Sequence, residues 1–168
     1  MIAALIHNIR RNHALEHATI TLLSQKYLGE QIVGISGPIG FTFYTTLSTE
    51  EVVPIAMKAL QQLKAGKEEL RIHPNCGTNL VATAVLTTLA AVIGLGSSKK
   101  RSRLECLQRF PHAVLLSAVA ILASRPLGIW LQAYVTTEAN LKNTEITTIF
   151  TDRWYGLHRI RIYTRHSA

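Results

Sequence analysis

The chain has 168 residues, 48% of them apolar, and carries a net charge of +8 at pH 7. That length allows one domain, or one domain with a membrane element, and the apolar content excludes a disordered polymer. The positive balance suits an anionic membrane surface or nucleic acid. No basic motif with interleaved aromatics is present, so nucleic acid is not expected as a partner.

Two cysteines, Cys76 and Cys106, stand in unlike contexts. They do not make the framework of a disulfide-stapled secreted domain. The opening M-I-A-A-L-I-H-N-I-R-R lacks a leading basic region and a long apolar run, so it does not read as a cleavable signal peptide.

Residues 2–27 are helical in pattern, with Gly29 as a stop. Asn12 is a good N-cap residue and marks an internal start, which makes His13 the first helical position. Inside this segment lies R-N-H-A-L-E-H-A-T-I. On a helix, positions i and i+4 stack on one face and i+3 lies beside them. His13, Glu16 and His17 therefore reach one region of space. His-x-x-Glu-His is the inverted form of the His-Glu-x-x-His zinc-hydrolase motif. Two imidazoles form half of a divalent metal site, and the carboxylate is placed to take a proton from a bound water. The plain alternative is a polar helix face with two solvated histidines.

The run from Ile32 to Leu47 is rich in β-branched and aromatic residues and is broken by Gly37-Pro38 and Gly40, so it predicts a hairpin. S-T-E-E is next, a capping box with Ser48 at N-cap and Glu51 at N3. It opens a second helix to about Ala65, with Pro54 near its start and Gly66 at its end.

Beyond Gly66 the chain reads E-L-R-I-H-P-N-C-G-T-N. Leu70 to His73 is predicted as a short extended segment, because Pro74 disfavours a helical conformation at His73. Gly77 permits a bend, and Thr78 can cap the apolar helix that begins there. His73 and Cys76 are three apart, a spacing that lets both reach one metal from a turn. Taken singly, His73 is a solvated strand-end histidine and Cys76 a small buried residue. The other four histidines, His7, His112, His158 and His166, have no such context and read as surface or interface residues.

No Asp, Glu, Lys or Arg occurs between Arg71 and Lys99. About 20 residues of helix span a bilayer core. Eight Leu, Ile and Val residues between 80 and 95 favour insertion. A basic loop, 98–109, separates this run from a second one at 110–131. Arg125 must lie near an end of that second span, since at the bilayer centre it costs roughly 3 kcal/mol or more. Trp130 and Tyr134 would then sit at the interface. The alternative is a helical hairpin buried in a soluble core. Taken literally, the bias of Lys and Arg towards the loop puts it on the cytoplasmic side; a folded N-terminal region of about 75 residues with no signal ahead of it argues the other way, and the orientation is left open. The chain closes with two strand-like segments, 145–151 and 157–164, joined through Trp154-Tyr155-Gly156.

The expected fold is an α+β membrane protein, a small helix/strand domain with an inserted two-helix transmembrane hairpin. Residues 1–77 form the N-terminal α/β segment with the metal motifs. Residues 78–135 form the hairpin, and 136–168 form a β segment that packs back on the N-terminal part.

H-A-L-E-H-A-T-I, H-P-N-C-G-T-N-L and Q-A-Y-V-T-T together resemble a family of uncharacterised, largely cyanobacterial membrane proteins. The two His motifs also resemble a broader group of candidate metal-dependent membrane enzymes, which pair His-Gly-Ala-Glu-His with His-Pro-Arg-Cys-Gly-Thr. Ala14 and Leu15 replace the Gly-Ala of that group, and Asn75 replaces its Arg. The resemblance implies a shared metal site at His13, His17, His73 and Cys76, with Glu16 beside it, in an integral protein of a bacterial plasma or thylakoid membrane. It supplies no substrate.

Three functions compete. In a zinc-dependent, peptidase-like hydrolase, His13, His17 and His73 hold Zn²⁺, Glu16 is the general base and Cys76 is an outer or alternative ligand. The substrate is then a protein or peptide at the lipid bilayer. In a structural site all four ligands close the coordination. A non-metal membrane-anchored assembly module is the third. The oligomeric state is open.

Overall fold

In the computed structural model, which describes residues 2–96 and 103–167, the protein is a mixed α/β chain with a four-stranded antiparallel sheet. In chain order the elements are α1 (Ile2–Lys26), β1 (Ile32–Gly37), β2 (Gly40–Thr45), α2 (Thr49–Lys64), a 3₁₀ turn (Glu68–Arg71), α3 (Gly77–Leu95), α4 (Arg103–Leu131), a π-helical turn (Gln132–Thr136), β3 (Thr144–Trp154) and β4 (Leu157–His166). They divide into two compact units, Met1–His73 with Gln132–Ala168, and Pro74–Leu131. The start of the predicted basic loop, with Lys99, Lys100 and Arg101, lies outside the described residues.

The first unit is two layers, α1 and α2 against one face of a sheet of order β1-β2-β4-β3. Alternation decides the covered face. Phe41 and Phe43 on β2 and Ile160 and Ile162 on β4 point into the core, where they meet Leu15, Ala18 and Leu23 of α1 and Val52, Ala56 and Leu60 of α2. On β3, Ile146 and Ile149 both pack against this core although they are three residues apart. A β-bulge between Ile146 and Thr148 makes that possible. The extra residue resets the side-chain parity, so Ile146 opposite Thr164 and Ile149 opposite Ile162 share one face.

The sequence expectation for the two hairpins and for α2 agrees with these elements. The Ser48 N–H donates to Glu51 Oε2 at 2.8 Å, one half of the capping box. Three expectations change. α1 is one continuous helix through Asn12, which is fully buried and bonded to the sheet rather than capping. Leu70 and Arg71 belong to the 3₁₀ turn, so of the extended segment expected before His73 only Ile72 is extended. The cap of α3 is Cys76, whose sulfur accepts the Thr78 N–H at 3.3 Å.

The second unit is the α3–α4 pair. Asn79 faces Gly128, Thr83 bonds Ser124 and Gly94 faces Ala113. Four residues forward in α3 match four back in α4, and the next eleven match eleven, so the helices run antiparallel in register. The approach is close, since a Cβ on Gly94 would collide with the Ala113 backbone. Two helical stretches, Gly77–Leu95 and Leu107–Thr136, are long and apolar enough to cross a membrane.

Candidate metal centre

α1 places the motif residues as its 3.6-residue period requires. The His13 and His17 rings lie 4.2 Å apart between centroids, and the His73 ring, arriving from beyond the 3₁₀ turn, lies 5.9 Å from that of His17. His17 and Glu16 are buried and His13 is half-buried.

Backbone carbonyls orient both helix histidines. His13 Nδ1 donates to the Thr136 carbonyl at 3.0 Å, and His17 Nδ1 donates to the Arg71 carbonyl at 2.6 Å. A carbonyl only accepts, so in its neutral form each ring carries hydrogen on Nδ1 and its lone pair on Nε2. This is the arrangement that fixes ligating histidines in metal sites. Burial, and secondarily the nearby His17, hold the His73 pKa below its ordinary value. That favours the neutral imidazole, which is the form a metal binds.

Glu16 leans on the edge strand β1. Ser36 Oγ donates to Glu16 Oε2, and a Cβ on Gly34 would collide with Oε1. A glycine at 34 thus makes room for the carboxylate. Burial raises the Glu16 pKa above its ordinary value, against the opposing pull of the Ser36 hydrogen bond and the charge of His13.

Beside this group runs a polar network. Asn12 Nδ2 donates to the Gly37 carbonyl at 2.8 Å, and Asn12 Oδ1 accepts from Thr164 Oγ1 at 2.6 Å and meets His166 Nε2 at 3.1 Å. It pins α1 to β1 and β4 one residue before His13. Sequence reasoning assigned Asn12 to a cap and His166 to the surface or an interface, because nothing local announces a partner more than 150 positions away.

Of the predicted site residues, His13, Glu16, His17 and His73 lie in the first unit. Cys76 opens the second, buried at the start of α3 and three residues beyond His73. Within the first unit, His13 and His17 are two donors that could share one metal ion. Residues not singled out for a role by sequence are Gly34 and Ser36, which receive Glu16, and Gln132 to Thr137, whose carbonyls and side chains meet the histidines. The Q-A-Y-V-T-T string was the only signal for that last group.

An α/β scaffold carrying a histidine cluster, with two helices apolar enough to cross a membrane, is the class this chain defines. The chain belongs to the DUF6391 family, a domain of unknown function, which it matches over residues 8–149. It is 28% identical over 138 residues to an uncharacterized protein of the cyanobacterium Picosynechococcus sp. (strain PCC 7002), covering 77% of this chain. The chain spans 65% of the length of that curated relative. No solved structure matches it.

Proposed function

We propose that the protein is a metal-dependent hydrolase of the bilayer surface, acting on an amide or other acyl bond of a protein or peptide. The observation that carries this reading is the pairing of two carbonyl-anchored imidazoles with a buried carboxylate on the same turns of α1. His13 and His17 supply two ligands through Nε2. His73 supplies the third, with Cys76 of the same H-P-N-C turn as an outer or alternative ligand. Imidazole and thiolate donors suit zinc. A zinc ion held there would lower the pKa of a bound water towards 7 and polarise a carbonyl.

Glu16 acts as the proton carrier. Its raised pKa brings it closer to the working pH, where a general base is most effective. It takes a proton from the attacking water as the oxygen adds to the acyl carbon. It then gives that proton to the leaving nitrogen or oxygen as the acyl bond breaks, which restores the carboxylate. Ser36 holds one carboxylate oxygen through this cycle.

The α3–α4 pair is read as the anchor, a transmembrane hairpin in a bacterial plasma or thylakoid membrane. In the apolar windows of these helices only 11% and 17% of residues are buried. A core helix of a soluble protein would hide most of its apolar side chains; here Leu80, Ile93 and Leu122 are each at least 70% exposed. Lipid is the solvent such faces require.

A second reading, a closed structural site of His13, His17, His73 and Cys76, is supported by Cys76, a thiol buried at a helix start. Elemental analysis of the detergent-purified chain separates the readings. The parent should carry about one zinc per chain, and His13→Ala or His17→Ala should lose it. Equal metal in parent and mutants would overturn both. For the hydrolase, Glu16→Gln keeps its metal and loses activity against a casein or lipoprotein substrate panel, while Cys76→Ser is milder. Cys76→Ser losing its metal while Glu16→Gln stays active would leave only the structural site.

A further inference from the structure

The motif Q-A-Y-V-T-T has no chemistry of its own in the hydrolase reading, yet three imidazoles depend on it. Its first five residues form the π-helical turn, closed by the Thr137 N–H on the Gln132 carbonyl at 3.1 Å and by Thr137 Oγ1 on the same oxygen at 2.6 Å. A helix end leaves its last carbonyls without partners along the helix. Here those carbonyls turn to the site. The Thr136 carbonyl accepts His13 Nδ1. The Ala133 carbonyl accepts Arg71 Nη1 at 2.6 Å, and the carbonyl of that same arginine accepts His17 Nδ1. Gln132 Oε1 accepts the backbone N–H of His73 at 2.8 Å. The Tyr134 and Thr137 carbonyls hold Arg10, one turn before His13. Gln132 and Thr137 are fully buried. Widened π turns inside helices occur often at functional sites.

We propose that the π-helical turn is the positioning platform of the metal centre, with Gln132 and Thr137 as positioning residues that set the geometry of His13, His17 and His73. This deepens the metal-site reading and rests on it. An ordinary α-helical end at these positions would shift the carbonyls by a fraction of a turn and swing the His13 ring. The Thr137 hydroxyl locks the wider turn. Gln132 reaches across to fix where the chain delivers His73.

The test is a titration of the metal-free, detergent-purified full chain with cobalt(II), monitored by its visible absorption. Thr137→Val is nearly isosteric and removes the hydroxyl; Gln132→Met keeps the length and removes the acceptor. Each should weaken cobalt binding about 10- to 100-fold, the usual cost of losing an outer partner of a ligating histidine, and shift the cobalt bands. Thr137→Ser keeps the hydroxyl and should restore both. A packing role alone would leave the spectrum of the bound metal unchanged. If Gln132→Met does not fold, the Thr137 pair decides. Parental affinity and spectrum in Thr137→Val would overturn the platform and leave the metal site standing. A parent chain that takes up no cobalt would overturn both.

Discussion

Glu16 carries an energetic conflict. Its carboxylate is 5% exposed and sits against β1, so its charge is held with little water around it. The raised pKa has a definite sign for stability. The folded state binds the proton more tightly than the unfolded chain, so the stability due to protonated Glu16 is fully present below the ordinary value of 4.5 and is lost as pH rises through the raised folded value. Glu16→Gln imitates the neutral form at every pH. The variant should therefore melt above the parent at pH 7 to 8, and the gap should close as the pH falls below about 4.5. Thermal melts of metal-free protein across that range check this; a gap that grows on acidification would mean that Glu16 is held as a stabilised anion. A site residue that costs stability is expected where function requires it. Gly34 belongs to the same account, because any side chain there competes with the carboxylate for the same space.

Among the elements, β3 shows how a single residue governs a strand. The bulge around Thr147 lets Ile146 and Ile149 face the core together, with Thr147 Oγ1 donating to the Tyr163 carbonyl at 3.3 Å. Deleting Thr147 would remove the extra residue, so that Ile146 and Ile149 become i and i+2 of a regularly paired strand and both still face the core. The deletion should therefore cost less than the roughly 1.5–3 kcal/mol that losing one isoleucine from the core would cost. Chemical denaturation of the deletion variant measures it. A loss as large as a buried isoleucine would mean that the bulge itself, and not the parity of Ile146 and Ile149, holds the strand in place.

At the scale of the whole molecule, the two units face different demands. The first has a conventional core of α1, α2 and the inner sheet face. The second buries little beyond the seam between α3 and α4, where Ala82, Gly94, Ala113, Ser124 and Gly128 are the buried ones among the described residues. Small residues at a helix seam permit close backbone approach, as in helices that associate within lipid. Carbonate extraction of membranes from expressing cells should leave the chain in the pellet. Recovery in the supernatant would make the pair a surface anchor or part of a soluble assembly.

Local pattern suffices for much of this architecture. The period of α2, its Ser48–Glu51 box, the hairpins around Gly37–Gly40 and Tyr155–Gly156, and the two long apolar helices are properties of neighbouring residues, and each is legible in the amino-acid order. So is the His13–Glu16–His17 row, because i, i+3 and i+4 share a face on any helix. The same local logic misplaces Asn12, which has the chemistry of a cap but finds Gly37 and Thr164 across the fold. It is silent on the parity reset in β3, which depends on the partner strand. It is equally silent on the orientation of each imidazole, since the carbonyls of Arg71 and Thr136 lie 54 and 123 positions from the rings they hold. The sequence by itself determined which side chains could do the chemistry. Only the tertiary structure decided which nitrogen His13 and His17 present and what surrounds Glu16, because those depend on hydrogen bonds and desolvation supplied by segments distant in the chain.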